Sequence, residues 1–298
     1  MLLNAFIEIW ILIALGKLIS LSGILNREDG KKLNLLVIYV LLPFLTFRIL
    51  YQTDLQGMLM LPILGTIALA ALLALSMAAG KLLKLPPKIF GSFVLTSTIP
   101  NTGYLGYPIM LALFGEQGLA AAIVFNLSFS FFTPTAGNYV AACYGGTCPT
   151  KKGLLREIFL YPLFIAFLAG ALFNVFSVPI PALLLSTVTK VGDLTIPVVL
   201  IALGVLLRLE LPKHGKELAL VGGFRFLAAP LIGFLLAFLV PLPPLLRAIL
   251  ILELAMPPAI ANLALAVDRQ LDIDFTENTI FLLTVVSMIT IPVLAALV

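Results

Sequence analysis

Two short stretches set a proline and an asparagine inside otherwise apolar runs: Pro100-Asn101-Thr102-Gly103, and Met256-Pro257-Pro258 running on to Asn262. Proline has no N–H and clashes with the preceding turn, so carbonyls just before Pro100 and Pro257 lose their helical partners. Left facing hydrocarbon, each would cost several kcal/mol, so they must line a cavity or bind something. Beyond each break a second half-helix offers its first N–H groups, which suit an anion. In the first stretch Gly103, Gly106 and Pro108 are poor helix material and favour a broken segment; the second carries its amide on Asn262. Pro100, Asn101, Thr102, Gly103, Pro257, Pro258 and Asn262 are therefore candidate substrate contacts. The chemistry expected of them is recognition of an anion rather than bond making.

Other polar residues fall in apolar surroundings, where each is costly and hence a functional candidate. Glu253 precedes Pro257 by one helical turn and lies over the second break, with Thr96 in the matching place before Pro100. The pair marks the expected site of a coupling proton or sodium ion; a neutral carboxyl capping freed backbone is the rival reading. Asn126, Ser130 and Thr133 are spaced to share one helix face beside Asn101, lining a pathway or bonding between helices. Arg225 is expected to snorkel or to pair with Glu253 or Asp193. Lys190 and Asp193 are expected to neutralise each other, and Arg48 to meet Asp54. Cys143 and Cys148 flank a Gly-Gly turn and read as free thiols, neither a disulfide framework nor a metal site. The lone histidine, His214, sits in a charged loop, and no Gly-x-Ser-x-Gly, His-Glu-x-x-His or phosphate loop occurs. No enzyme, resident cofactor or metal is expected, beyond coupling Na+ or H+.

The elements that must position these residues follow from composition. With 298 residues, 61% hydrophobic and 11% charged, the chain is too apolar for a soluble domain. Its mean hydropathy of +1.17 agrees. At about 20 apolar residues per crossing, the length holds about ten membrane helices and no soluble domain. Apolar runs place them near 3–22, 33–53, 57–80, 88–114, 117–143, 154–177, 183–207, 217–240, 244–267 and 277–297. The first lacks the basic leader and cleavage site of a signal peptide and reads as a membrane helix. Alternate loops collect Arg27, Lys31, Lys32, Lys81, Lys84, Lys88, Lys151, Lys152, Arg156, Arg208, Lys213, Lys216 and Arg269, whereas the opposite loops hold Arg247 alone. The positive-inside rule turns the first set to the cytoplasm and leaves both termini outside. The net charge of +4 thus reflects orientation and implies no nucleic acid.

Leu85, Pro86, Pro87 and Pro100 recur at a constant offset as Leu242, Pro243, Pro244 and Pro257. The predicted fourth and ninth helices therefore each begin after Leu-Pro-Pro and each meet a proline near the midplane. Five helices in 1–143, a cytoplasmic linker at 144–153 and five more in 154–298 make an inverted repeat, because an odd count returns the chain to the opposite side. The expected fold is all-α: ten transmembrane helices in one domain, with helices four and nine broken.

Ile99-Pro-Asn-Thr-Gly-Tyr-Leu-Gly-Tyr-Pro108, with Leu113-Phe-Gly115, resembles the fourth-helix pattern of the auxin efflux carrier family, which includes plant PIN auxin transporters and bacterial malate or malonate permease-like proteins. Tyr39-Val-Leu-Leu-Pro43, Ile196 to Gly204 and Ala255-Met-Pro257 through Asn262 extend the resemblance along the chain, whereas Pro258 departs from it by doubling the proline. The resemblance implies an NhaA-type fold shared with bile acid sodium symporters. There helices one, two, six and seven form a scaffold, the remaining six form a moving core, and substrate binds where broken helices four and nine cross. It also implies a homodimer in the cell membrane. The expected function is secondary transport of small organic anions, carboxylates such as malate, malonate or auxin-like acids, by an elevator mechanism. A sodium-coupled bile-acid-symporter-like carrier, a sodium–proton antiporter and a transporter-like membrane sensor are the alternatives.

Overall fold

A computed structural model describes residues 2–146, 162–207 and 214–298. Its helices are α1 (Leu2–Leu21), α2 (Arg27–Gln52), α3 (Met60–Leu82), α4 (Pro87–Thr98), α5 (102–114), α6 (116–145), α7 (Pro162–Val175), α8 (Ala182–Leu206), α9 (Gly215–Leu239), α10 (Pro244–Leu254), α11 (Ala261–Asp268) and α12 (Ile273–Ala295). The described chain is all-helical apart from one isolated antiparallel bridge. Six stretches among the described residues are long and apolar enough to cross a bilayer: Arg27–Gln52, Met60–Leu82, Thr102–Gly145, Ala182–Leu206, Gly215–Leu239 and Ile273–Ala295. Gly115 divides the third of these into α5 and α6, because its φ of 65° is a left-handed conformation that glycine adopts without strain.

Local chemistry moves two predicted boundaries. The helix expected from residue 33 starts at Arg27, because Asn26 forms a capping box: its side chain accepts from Glu28 and Asp29 N–H while the Asp29 carboxylate accepts from Asn26 N–H. The last helix starts at Ile273 rather than 277, where the Asp272 carboxylate accepts from Phe275 N–H at 2.8 Å. Residues 147–153 of the predicted linker, residues 154–161 of the predicted sixth helix, and Cys148, Lys151, Lys152, Arg156, Arg208 and Lys213 lie outside the described residues. Cys143 is a free, exposed thiol.

Four π-helical turns interrupt the helices: Val37–Leu41, Thr102–Gly106, Thr133–Gly137 and Phe224–Ala228. Three of them end two residues before a proline, namely Pro43, Pro108 and Pro230, and the other contains Pro134. A proline ring presses on the carbonyl one turn back and cannot bond it, and one extra residue in the turn relieves the clash.

The chain gathers into two compact units. One comprises α1, α2, α7, α8 and residues 107–123. Within it α1 and α8 touch backbone to backbone: a Cβ on Gly16 would collide with the Ile201 carbonyl, and one on Gly204 with that of Ile13. Such close approach through small residues is the way helices associate in lipid. Arg48, largely buried, pairs with Glu116 at 2.7 Å and Asp193 at 3.3 Å. That corrects two expectations. Asp54 instead accepts from Gln56 N–H, and Asp193 faces Arg48 rather than Lys190, which is exposed.

The second unit comprises α3, α4, residues 102–106, the later part of α6, and α9 to α12. Phe90, Phe93, Val94, Val140, Leu218, Val221, Phe275 and Leu283 form one apolar cluster in it. Leu95, Ile99, Ala141, Ala259, Ala266 and Leu271 form another, packed directly beside the two chain breaks.

Candidate functional site

Leu-Pro-Pro starts both α4 and α10: the second proline occupies the first helical position, where no N–H is needed. Both helices then end just before the next proline, α4 at Thr98 and α10 at Leu254. The extended residues that follow pair with each other. Pro100 and Pro258 form the antiparallel bridge, Asn101 N–H donates to Pro257 O at 2.8 Å, and Ala259 N–H donates to Ile99 O at 3.0 Å. Four backbone groups at the breaks thus satisfy one another in two hydrogen bonds inside the second unit.

The carbonyls that the breaks release go to Arg225. Its Nε donates to Met256 O at 2.9 Å, its Nη1 to Thr98 O at 3.1 Å and Ser97 O at 3.3 Å, and its Nη2 to Met256 O at 2.8 Å and to Leu254 O. The side chain is fully buried. This corrects the expectation that Arg225 snorkels or pairs with Glu253 or Asp193: its donors are spent on main chain.

Around this frame several polar atoms are buried without a partner among the described residues: Ser97 Oγ, Asn101 Nδ2, both Glu253 carboxylate oxygens and Asn262 Oδ1. Such groups are rare in native interiors and point to a ligand. Asn101 sits at the start of α5, whose first turn has N–H groups with no intrahelical acceptor. Three residues apart, Gly103 and Gly106 differ sharply: a Cβ on Gly103 would meet open space, whereas one on Gly106 would run into the Glu253 carboxylate. Glu253 therefore packs against the first turn of α5, and Gly103 leaves room beside that turn.

Thr102 Oγ1 donates to Asn126 Oδ1 at 2.6 Å, which brings Asn126 to the first break. Ser130 Oγ donates to the Asn126 carbonyl at 3.0 Å, and Thr133 Oγ1 is buried without a partner among the described residues. Asn262 Nδ2 donates to Ile99 O at 3.3 Å, so its amide donor is committed across the bridge and its oxygen is the free end. Thr96 Oγ1 turns back to Ser92 O at 2.8 Å and Phe93 O at 3.2 Å. Pro100, Pro257 and Pro258 are buried in the bridge itself. Sequence reasoning overlooked Ser97, for which the alternation Thr96-Ser97-Thr98 in an apolar helix was the available signal, and it read Gly106 as a mark of the broken segment without its contact to Glu253. No group of three or more His, Cys, Asp or Glu able to hold a metal gathers among the described residues.

Apolar helices enclosing a pair of discontinuous helices, with unpartnered polar atoms at the breaks, define a membrane transport protein. The profile described as membrane transport protein, that of the auxin efflux carrier family, matches residues 1–140 and 149–295, and the chain belongs to this family. It is an integral membrane protein. It is 30% identical to an uncharacterized transporter of Methanocaldococcus jannaschii, over 97% of this chain and 96% of the relative. It is 28% identical to an uncharacterized transporter of Methanothermobacter thermautotrophicus, over 96% of this chain and 95% of that relative.

Proposed function

We propose that the protein is a secondary transporter of small organic anions, carboxylates such as malate, malonate or auxin-like acids, and that substrate binds at the paired breaks. The observation that carries this reading is the buried Asn101 Nδ2, without a partner among the described residues, two positions before Gly103, where a Cβ would meet open space. A carboxylate placed there takes the amide and the first N–H groups of the half-helix, and the helix end favours its charge. Pro100, Thr102, Gly103, Asn126 and Ser130 shape the same place, with Pro257, Pro258 and Asn262 opposite.

In this reading the chain crosses the membrane ten times as two inverted five-helix repeats with both termini outside. Transport proceeds by elevator-type alternating access, the predicted helices three, four, five, eight, nine and ten moving against a scaffold of one, two, six and seven, in a homodimer. Support comes from the compact unit that holds both breaks, although residues 107–123 of the predicted fourth and fifth helices group with the other unit, and from the recurrence of Leu-Pro-Pro and its following proline in each half. One observation favours coupling to a cation: Glu253 keeps both oxygens unpartnered, and hard cations take oxygen ligands. Thr96 is the matching place of the first repeat.

Counterflow of labelled malonate and malate into proteoliposomes tests the proposal. Saturable uptake by wild type, lost in Asn101→Ala, is the expected result. Specific binding of the same acids without flux would instead favour a membrane sensor.

A further inference from the structure

Arg225 sits on the π-turn Phe224–Ala228 of α9, and nothing in substrate recognition or coupling has used it. A guanidinium carries five N–H donors in one plane, and here each meets a main-chain carbonyl. The acceptors come from both breaks. Ser97 and Thr98 close α4, while Leu254 and Met256 lie at the end of α10. The C-terminal end of a helix carries about half a negative elementary charge, so two such ends converging on one point amount to roughly one. A single guanidinium matches that charge.

Carbonyl oxygens converging from several directions are also how proteins coordinate bare alkali ions. We infer that Arg225 is a built-in counter-cation of the paired breaks: it holds the place between the two C-terminal half-helix ends that an exchangeable cation would otherwise take, and it fixes those ends in register. Lysine cannot fully replace it, because an ammonium offers three donors from one point where the carbonyls are spread along a planar fork. Removal of the side chain leaves a carbonyl-lined hole of guanidinium shape and a deficit of one positive charge.

The test uses the full-length protein in detergent, read by thermal unfolding in buffers of equal ionic strength. Arg225→Ala is expected to lower Tm by roughly 10 °C. Replacing choline chloride by about 20 mM guanidinium chloride is expected to restore at least half of that loss, while wild type does not respond. Equal Tm values of the variant in the two salts overturn the inference. Should Arg225→Ala fail to fold, Arg225→Lys and Arg225→Met decide the matter. A lysine variant clearly more stable than the methionine variant supports the counter-cation, and one no better overturns it. The readout is stability and its cation selectivity, so the result is independent of which substrate the protein carries.

Discussion

The two breaks share one backbone design and differ in chemistry. Both follow Leu-Pro-Pro, in both the helix ends shortly before a proline, and they pair through one bridge between Pro100 and Pro258. Yet among the described residues the first break leaves the donor Asn101 Nδ2 unpartnered, with the Ser97 hydroxyl, while the second leaves both Glu253 oxygens and Asn262 Oδ1. The orientation of Asn262 is not arbitrary, since turning it over would set its oxygen against the Ile99 carbonyl that its amide now caps. A duplicated scaffold can thus keep its geometry while its side chains divide the work, one break suited to an anion and the other to a cation.

The most forceful way to break this comparison is Asn101→Ala, which removes the donor of the first break. Loss of a hydrogen bond to a charged substrate is expected to weaken malonate affinity roughly ten- to hundredfold, measured by concentration-dependent counterflow, with folding intact. Unchanged affinity would take Asn101 out of the site. Glu253→Gln addresses the other break by removing charge while keeping shape. If that carboxylate couples a cation, wild-type flux differs about fivefold or more between cation gradients and their absence, for sodium or protons, and the variant loses the difference. A wild type as indifferent as the variant would make Glu253 structural.

Smaller effects sharpen the contrast within a single turn. Gly106→Ala drives a methyl group into the Glu253 carboxylate and is expected to cost about 1–3 kcal/mol, seen as a lower Tm. Gly103→Ala enters open space and should stay within about 0.5 kcal/mol of wild type. Similar Tm values for the two would mean that Glu253 does not rest against α5. Asn262→Ala removes one of the two N–H donors to Ile99 O, which keeps Ala259 N–H, and is expected to cost about 1 kcal/mol, or about 3 °C in Tm, with less loss of malonate affinity than Asn101→Ala. Equal affinity losses in the two asparagine variants would dissolve the division between donor and acceptor.

How legible this was in the sequence varied with the range of the interaction. Proline and glycine act on their own backbone, so the breaks near Ile99 and Met256 and the division at Gly115 could be read directly from residue order. Capping boxes are also local, yet the polar start of α2 at Asn26 to Asp29 was hidden behind the apolar window that follows it. The arginines were not legible. Arg48 finds Glu116 and Asp193 far along the chain, and a nearby acidic residue such as Asp54 was the natural but mistaken partner. Arg225 bonds only main-chain oxygens, which every residue type carries, so no pattern of side chains could announce them.

Arg225 and Glu253 also carry an electrical consequence, because both lie buried in the compact unit that holds the breaks. In the proposed elevator, with Glu253 ionised, this buried pair carries one positive and one negative charge through the membrane field and adds no net electrical work. Protonate Glu253, and the same movement carries one uncompensated charge, worth about 2.3 kcal/mol for every 100 mV of membrane potential. A bound monoanion restores the balance. Membrane voltage would therefore report the proton on Glu253, because the pair adds to the current of the empty carrier when that proton is present.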